Sequence, residues 1–159
     1  MSIQFKSAVL FVKDIATSRQ FYEGRLGQQV EMDFGVNVGY IGGLALWEIG
    51  HVSQVVFGRE STEEARLGRD NLEVYFETDD LDATAKQLAA GKVPEVHPVR
   101  EQPWGQRVLR VYDPDGHVVE IAEPMVVTVQ RLAAEGLTPG QISAKTGMPP
   151  EAVAHLLAQ

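Results

Sequence analysis

The chain has 159 residues, of which 44% are hydrophobic and 23% are charged, and it contains no cysteine. This composition indicates a globular protein with a sizeable core, and it excludes disulfide scaffolds, thiolate metal sites and cysteine nucleophiles. A net charge of -8 argues against a broad nucleic-acid surface, which needs clustered Lys and Arg. Because no apolar run approaches membrane-spanning length and the first residues lack a signal-peptide cleavage site, we expect a cytoplasmic protein without a membrane partner.

The first part of the chain predicts a strand, a helix and three further strands. An apolar strand at 7–12 leads to Asp14, a helix N-cap, and Gly27 lies just beyond the helix end. Strand-like runs follow at 29–34, 36–41 and 44–49. We therefore assign residues 3–50 to a βαβββ module and the partly polar residues 51–70 to a linker with one short strand or turn.

The same order of elements occurs again in residues 71–124. A strand leads to the cap Asp80, which lies 66 residues after Asp14, and the helix that follows is closed by Gly91. Three more strand-like runs come next, at 93–98, 107–112 and 117–122. A repeated unit of this size usually buries its apolar face against its copy, so the sequence predicts an α+β fold of paired modules.

Residues 125–159 predict three short helices. Thr138 and Gln141 form a capping-box pattern, and the arrangement of helix, Gly-containing turn and helix resembles a helix-turn-helix unit. In this segment Arg131 and Lys145 are balanced by two glutamates, and the last helix has no Lys, Arg or Asn to contact a base. We expect packing or protein contact and no nucleic-acid partner; a DNA-binding regulator is the outside alternative.

Two stretches resemble a known family. VKDIATSRQFYEGRLG (12–27) resembles the first helix signature of the vicinal-oxygen-chelate superfamily, and QPWGQRVLRVYDPDGHVVEIAEP (102–124) resembles the end of its second module. This superfamily includes glyoxalase I, bleomycin-resistance proteins and extradiol dioxygenases. The resemblance implies paired modules that curl into a cup-like sheet, completed within one chain or across a homodimer. It does not imply one activity, since the superfamily holds isomerases, dioxygenases, transferases and binding proteins.

The resemblance also implies four metal-ligand positions, one on each of four strands. Three of them fall at Ser7, Glu73 and Glu120. The internal repeat places the fourth at Leu46, and Glu48, on the same strand face two residues on, is the candidate ligand there. Ser7 replaces the usual histidine, so the candidate metal ligands are Glu73, Glu120 and Glu48. Oxygen ligands of this kind favour Mg²⁺ or Mn²⁺ over Ni²⁺ or Zn²⁺. Glu120 and Glu73 are also the candidate catalytic residues, because either carboxylate could move a proton.

Other residues are candidates for binding a ligand. Tyr75 shares a strand face with Glu73, and Trp104 lies on a loop that core packing does not require. The remaining candidates are Trp47, His97 and Arg107. His97 is a candidate substitute metal ligand or acid/base group, and the alternative is a solvated or capping residue. Arg107 and Arg110, on opposite faces of one strand, are candidate partners for the carboxylates.

Two functions remain open from the sequence. One is a glyoxalase- or bleomycin-resistance-like protein that binds a small apolar or aromatic molecule in the cup without the standard metal site. The other is a metal-dependent lyase, isomerase or dioxygenase acting on a small oxygenated substrate. The absence of histidine at positions 7 and 73 favours the binding protein. In both cases we expect Glu120 to face Glu73, with one carboxylate pKa raised unless a metal or an arginine compensates.

Overall fold

The computed structural model of the chain describes residues 3–61, 67–68 and 70–159. The chain divides into two compact units, Met1–Leu72 with Asp113–His117, and Glu73–Tyr112 with Val118–Gln159. In the described residues the first unit contains β1 (Ala8–Val12), α1 (Ile15–Tyr22), β2 (Val30–Asp33), β3 (Asn37–Tyr40), β4 (Leu44–Glu48) and α2 (Ile49–Phe57). The second contains β5 (Glu73–Glu77), α3 (Leu81–Ala90), β6 (Glu95–Glu101), β7 (Arg107–Tyr112), β8 (Val118–Ala122), α4 (Met125–Ala134), α5 (Pro139–Thr146) and α6 (Pro150–Leu157).

Each unit contains a four-stranded mixed sheet, and the two sheets have the same topology. The strand orders are β1-β4-β3-β2 and β5-β8-β7-β6. In each sheet the first and last strands of the module pair in parallel, while the other neighbours are antiparallel. The predicted α+β fold of two βαβββ modules followed by a helical C-terminal region is therefore confirmed.

The first helix of each module begins at the aspartate that the sequence predicts as its cap. Asp14 accepts a hydrogen bond from the Thr17 N–H at 2.6 Å, and Asp80 accepts one from the Ala83 N–H at 2.9 Å. These side chains satisfy amide groups that have no partner in the first turn of a helix. The repeated cap thus fixes where each helix leaves its strand, and so how the helix lies on its sheet.

Cross-strand register separates the two faces of the second sheet. Leu109 pairs with Ile121, and the next pair, Arg110 with Glu120, projects from the opposite face because strand side chains alternate. The face of Leu109 is the one that packs under α3, since Arg107 on that face bonds to Asp82 of α3. The charged pair is therefore held on the face that α3 does not cover.

The turn between β7 and β8 belongs to the first unit and is built around one buried carboxylate. Oδ1 of Asp113 accepts from the N–H groups of Asp115 and His117 at 2.9 and 2.8 Å. Its Oδ2 lies 2.9 Å from both Tyr22 Oη and His117 Nδ1. Burial, together with the adjacent charge of Asp113, raises the pKa of Tyr22, so the phenol remains a donor. These bonds fix the Asp-Pro-Asp-Gly turn and therefore the point at which β8 begins.

Part of the predicted linker is helical. A strand or turn was expected within 51–70, but residues up to Phe57 form α2, which Gly58 closes with a φ of 63°. The valine-rich run favours a strand locally, yet Val52 is fully buried, so packing overrides the local preference. Residues 62–66 and 69 of the predicted linker lie outside the described residues.

Helices α4, α5 and α6 occupy the segment 125–159 and share a small core of their own. Val129, Leu132, Ile142 and Val153 are all fully buried there. Burial of such side chains stabilises the segment by about 1.5–3 kcal/mol each. The predicted capping box of Thr138 and Gln141 is present at the start of α5. Among the described helices, none is long and apolar enough to span a membrane.

We expect Asp113→Asn to lower the free energy of unfolding near pH 7 by about 2–3 kcal/mol, because charge-assisted bonds to a buried acceptor are lost. Burial alone would raise the pKa of Asp113, but hydrogen bonds from His117 and Tyr22 outweigh it and hold this pKa below its usual range. The contribution is therefore complete above the unfolded-state pKa and disappears as pH falls through the lower folded-state pKa.

Urea unfolding of both proteins, from neutral pH down to about pH 3, measures this difference. Asp79→Asn is the control, since Asp79 is exposed. If the two variants unfold alike at neutral pH, the Asp113 network does not stabilise the first unit.

Candidate functional site

Arg110 lies between two carboxylates on one face of the second sheet. Its Nε is 2.6 Å from Oε2 of Glu73, and its Nη2 contacts Oε2 of Glu120. The side chain of Glu120 is 5% exposed and that of Arg110 is 18% exposed, whereas that of Glu73 is 40% exposed. An unpaired charge at the position of Glu120 would be strongly destabilising, so the guanidinium is what compensates this buried carboxylate.

The sheet register explains why these three side chains meet. Arg110 is directly opposite Glu120 in the antiparallel β7–β8 pair. Tyr75 of β5 is opposite Glu120 on the other side, so Glu73 lies on the same face two residues earlier. Arg110 can therefore contact its cross-strand neighbour and reach a third strand diagonally. The two glutamates share one face, as strand alternation predicts.

His97 of β6 completes this group, which we call the carboxylate–arginine cluster (Glu73, His97, Arg110 and Glu120). Its Nδ1 is 2.8 Å from the carbonyl oxygen of Pro98, and its Nε2 is 3.2 Å from Nη1 of Arg110. A carbonyl only accepts, so Nδ1 carries the hydrogen; Nε2 is then free to accept from the guanidinium, which has only donors. His97 thus acts as a neutral acceptor that orients Arg110.

A second group on this unit joins the predicted aromatic residues, and we call it the aromatic chain (Trp104, Gln106, Tyr75 and Glu77). Trp104 Nε1 donates to Gln106 Oε1 at 3.0 Å, and Gln106 Nε2 donates to the Tyr75 hydroxyl at 3.1 Å. Tyr75 in turn donates to Glu77 Oε1 at 2.7 Å. Burial, and then the bond to Glu77, raises the pKa of Tyr75, so the phenol stays protonated at neutral pH. The aromatic chain therefore connects the Trp104 loop to β5.

Three of the predicted site residues lie in the first unit. Ser7 precedes β1 and is exposed, whereas Trp47 of β4 donates from Nε1 to His51 Nδ1 at 2.8 Å. Glu48 is the N-cap of α2: its carboxylate accepts from the N–H of Gly50 at 3.0 Å and of His51 at 2.8 Å. Glu48, a candidate metal ligand by the family resemblance, therefore uses its carboxylate to cap the N-terminus of α2.

Arg107, the other predicted ligand-binding arginine, does not join the cluster. Its Nη2 is 2.7 Å from Oδ1 of Asp82 in α3, on the face opposite Arg110. The spacing of three residues between the two arginines places them on opposite sides of β7. Of the two arginines considered from the sequence, Arg110 is the one that contacts Glu73 and Glu120.

The residues present do not fit a divalent metal. Glu73 and Glu120 both direct an oxygen at Arg110, and a metal cation placed between them would be repelled by the guanidinium. The free lone pair of His97 also faces Arg110. Across residues 3–61, 67–68 and 70–159, no group of three or more His, Asp or Glu side chains could hold a metal ion. Arg110 therefore takes the position between the carboxylates that a metal would need, while one guanidinium against two carboxylates still leaves an excess negative charge on this face.

Sequence reasoning missed Gln106. Its amide is 5% exposed and has three partners, including the carbonyl oxygen of Glu123 at 2.8 Å. A glutamine beside a Trp-Gly loop shows no hydrophobic periodicity and no charge. The one sequence feature that could have indicated its bridging role is its position directly before a buried strand.

Comparison with known proteins gives a consistent family and fold. Residues 5–126 match the family described as Glyoxalase-like domain. The chain is similar to a protein of unknown function from Agrobacterium tumefaciens, with 39% identity over 78% of this chain and 96% of that one, and a TM-score of 0.72. A member of the glyoxalase/bleomycin resistance protein/dioxygenase superfamily from Sphaerobacter thermophilus is 25% identical over 77% and 98% of the two chains, with a TM-score of 0.59. No curated protein matches the chain.

A further solved structure supports the fold alone. It is a glyoxalase/bleomycin resistance protein/dioxygenase from Nocardioides, 22% identical over 77% of this chain and 84% of that one, with a TM-score of 0.60.

We expect Arg110→Met to destabilise the protein by about 3–5 kcal/mol, because it leaves Glu120 buried without a counter-charge. The double variant Arg110→Met with Glu120→Gln should recover most of this loss, since both charges are then absent. Chemical denaturation of the single and double variants gives the coupling energy between the two residues.

Arg107→Met is the matched control on the same strand. Its partner Asp82 is exposed, so we expect only a small loss. If Arg110→Met costs no more than Arg107→Met, or if removing Glu120 restores nothing, the pairing of Arg110 with Glu120 does not stabilise the sheet.

Proposed function

The chain belongs to the glyoxalase-like domain family, and on that basis we propose that it is a small-molecule-binding protein whose binding face lies on the second unit. The proposed ligand is a small aromatic molecule that carries a positive charge. The observation that carries this proposal is the composition of β5, which presents an exposed aromatic ring between two exposed carboxylates.

Glu73, Tyr75 and Glu77 alternate along β5 and lie on the same face. All three are exposed, Tyr75 to 47%. Their spacing of two residues places successive Cα atoms roughly 7 Å apart along the strand, and the Glu77 carboxylate lies 2.7 Å from the Tyr75 hydroxyl. A cation with an aromatic ring would therefore meet ring and charge together, which favours binding through both stacking and Coulomb attraction.

The basic groups of this face are less available to a ligand than its carboxylates. Arg110 is 18% exposed, and its donors are directed to Glu73, Glu120 and His97. Arg100 is exposed on β6, at the other edge of the sheet. Three strand spacings of about 4.8 Å separate that edge from β5, so Arg100 lies well beyond contact distance. An anionic ligand would consequently face two exposed carboxylates.

Trp104 supplies a second aromatic surface close to Tyr75. Its side chain is 37% exposed, and Gln106 ties it to the tyrosine hydroxyl. Aromatic side chains line many small-molecule sites, with a few polar groups that set the orientation of the ligand. Within the family, this combination supports binding without metal chemistry, since Glu73 and Glu120 are paired with Arg110. Glu77 contacts the Tyr75 hydroxyl instead, so its charge is not compensated by Arg110.

We also propose that the protein forms a homodimer, as the family resemblance predicts. The first unit exposes large apolar side chains, among them Phe5, Met32, Phe34 and Ile41. Exposed apolar side chains that form a patch usually mark an interaction site. Light scattering at micromolar concentration should give twice the chain mass; a monomer mass would contradict the dimer without affecting the proposed ligand.

The ligand proposal is tested with two probes that share a benzyl ring, benzyltrimethylammonium and benzylsulfonate. We expect the ammonium probe to bind about tenfold more tightly at low salt, because roughly 1–1.5 kcal/mol of Coulomb energy separates the two charges near a pair of carboxylates. The preference should shrink at high salt, which screens exposed charges. Two-dimensional NMR titration measures both affinities and the residues that shift.

Glu73→Gln and Glu77→Gln should each reduce the preference for the ammonium probe. Glu95→Gln is the matched control: Glu95 is exposed on β6 and pairs with Val111, so it lies on the opposite face. Equal binding of the two probes, tighter binding of the sulfonate, or shifts confined to residues away from β5 would overturn the proposed function.

A further inference from the structure

Arg131 lies in the C-terminal helical segment, beyond the matched family domain, which ends at residue 126. Its guanidinium nevertheless contacts three parts of the second module at once. Nη2 bonds to Oε1 of Glu123, just after β8, and to the carbonyl oxygen of Gly105 in the loop before β7. Nη1 bonds to Oε2 of Glu101 at the end of β6. One side chain of α4 therefore ties a loop to the ends of two strands.

Glu123 is the centre of these contacts. It is 4% exposed, and its Oε1 accepts from Arg131 Nη2 at 2.9 Å, from Thr128 Oγ1 at 2.9 Å and from the Arg107 N–H at 3.1 Å. Two of the three donors come from α4. A buried carboxylate needs such donors, so the position of Glu123 depends on the C-terminal segment.

Glu123 and Gly105 both lead directly to the aromatic chain. The backbone carbonyl of Glu123 accepts from Gln106 Nε2, the same nitrogen that donates to the Tyr75 hydroxyl. Gly105 stands between Trp104 and Gln106, and its N–H bonds to the carbonyl of Gln102 at 2.8 Å. A shift of either anchor would move Gln106 and, with it, the hydrogen bonds of Trp104 and Tyr75.

The helices also pack directly on this loop. Gly105 has a φ of +89°, and a Cβ added there would lie 3.0 Å from Leu132 Cδ1 and 3.1 Å from Lys145 Cε. A side chain at this position would be strained in its backbone and would press on α4 and α5. Glycine thus permits the close approach that lets Arg131 reach the Gly105 carbonyl.

We infer that Arg131 is a positioning residue: through it, the C-terminal helices hold the Trp104–Gln106 loop, and hence the aromatic chain, in the arrangement that the ligand meets. The segment that resembles a helix-turn-helix unit is, on this inference, a part of the small-molecule site. The predicted effect of Arg131 on ligand binding rests on the proposed function, whereas its predicted effect on Trp104 does not.

Tryptophan fluorescence reports directly on the position of Trp104. The protein has two tryptophans, so in a Trp47→Phe background the tryptophan fluorescence comes from Trp104 alone. Arg131→Lys keeps a positive charge for Glu123, but an ammonium lacks the planar fork that contacts Glu123, Gly105 and Glu101 together. We expect this variant to retain most of its thermal stability while the Trp104 emission shifts to the red and acrylamide quenching increases.

Two further variants distinguish a role of Arg131 in positioning the loop from a role in stability alone. Arg131→Met with Glu123→Gln removes the guanidinium without leaving a buried charge, and should show the same change in Trp104. Lys145→Met is the matched control, since it removes the ammonium that bonds to Glu101 at 2.6 Å but keeps an unbranched aliphatic side chain where Lys145 packs beside Gly105. It should leave the Trp104 emission unchanged.

Binding of benzyltrimethylammonium supplies the second readout. Loss of one positioning hydrogen bond predicts about fivefold weaker binding in Arg131→Lys and wild-type affinity in Lys145→Met. If wild type binds no probe, the proposed function fails while the Trp104 readout still decides the role of Arg131. If Trp104 emission and quenching in Arg131→Lys and in the double variant equal those of wild type, or if Lys145→Met changes them as much, the inference is overturned.

Discussion

The placement of one guanidinium between two carboxylates constrains the whole second unit. Glu120 sits in the middle of β8 with 4% exposure, and a carboxylate there needs a cation within contact distance. Arg110 supplies it from the facing strand, and Glu73 and His97 hold the same guanidinium from the sheet's outer strands. Because the cluster provides its own cation, it removes the reason for a metal at positions where the family resemblance implies metal ligands.

The binding role that we propose for the same face rests on the side chains that remain exposed there. With Arg110 drawn to Glu120, the groups that the proposed ligand would meet first are Tyr75, Trp104 and the carboxylates of β5. The arrangement of the aromatic residues depends on Gln106, and Gln106 depends on anchors that α4 supports through Arg131. Sheet register thus determines the charges of the site, and the C-terminal helices determine the geometry of its aromatic end.

Much of this architecture follows from the sequence, and the reasons are local. Asp14 and Asp80 predict where the helices start, and strand alternation predicts that Glu73, Tyr75 and Glu120 share a face. The sequence does not predict which cation meets Glu120, because Arg107 and Arg110 are equivalent until the register of β7 against β8 is known. It also does not predict α2 or the role of Gln106, since both depend on packing between segments that are distant in sequence.

The central claim is that Arg110 occupies the place of a metal between Glu73 and Glu120. Isothermal titration of the full chain with Mn²⁺, Ni²⁺ and Zn²⁺, in parallel with Glu73→Gln and Glu120→Gln, tests it most directly. The account predicts that any heat of metal binding is the same in wild type and in both variants. A site of one metal per chain that either substitution abolishes would contradict it.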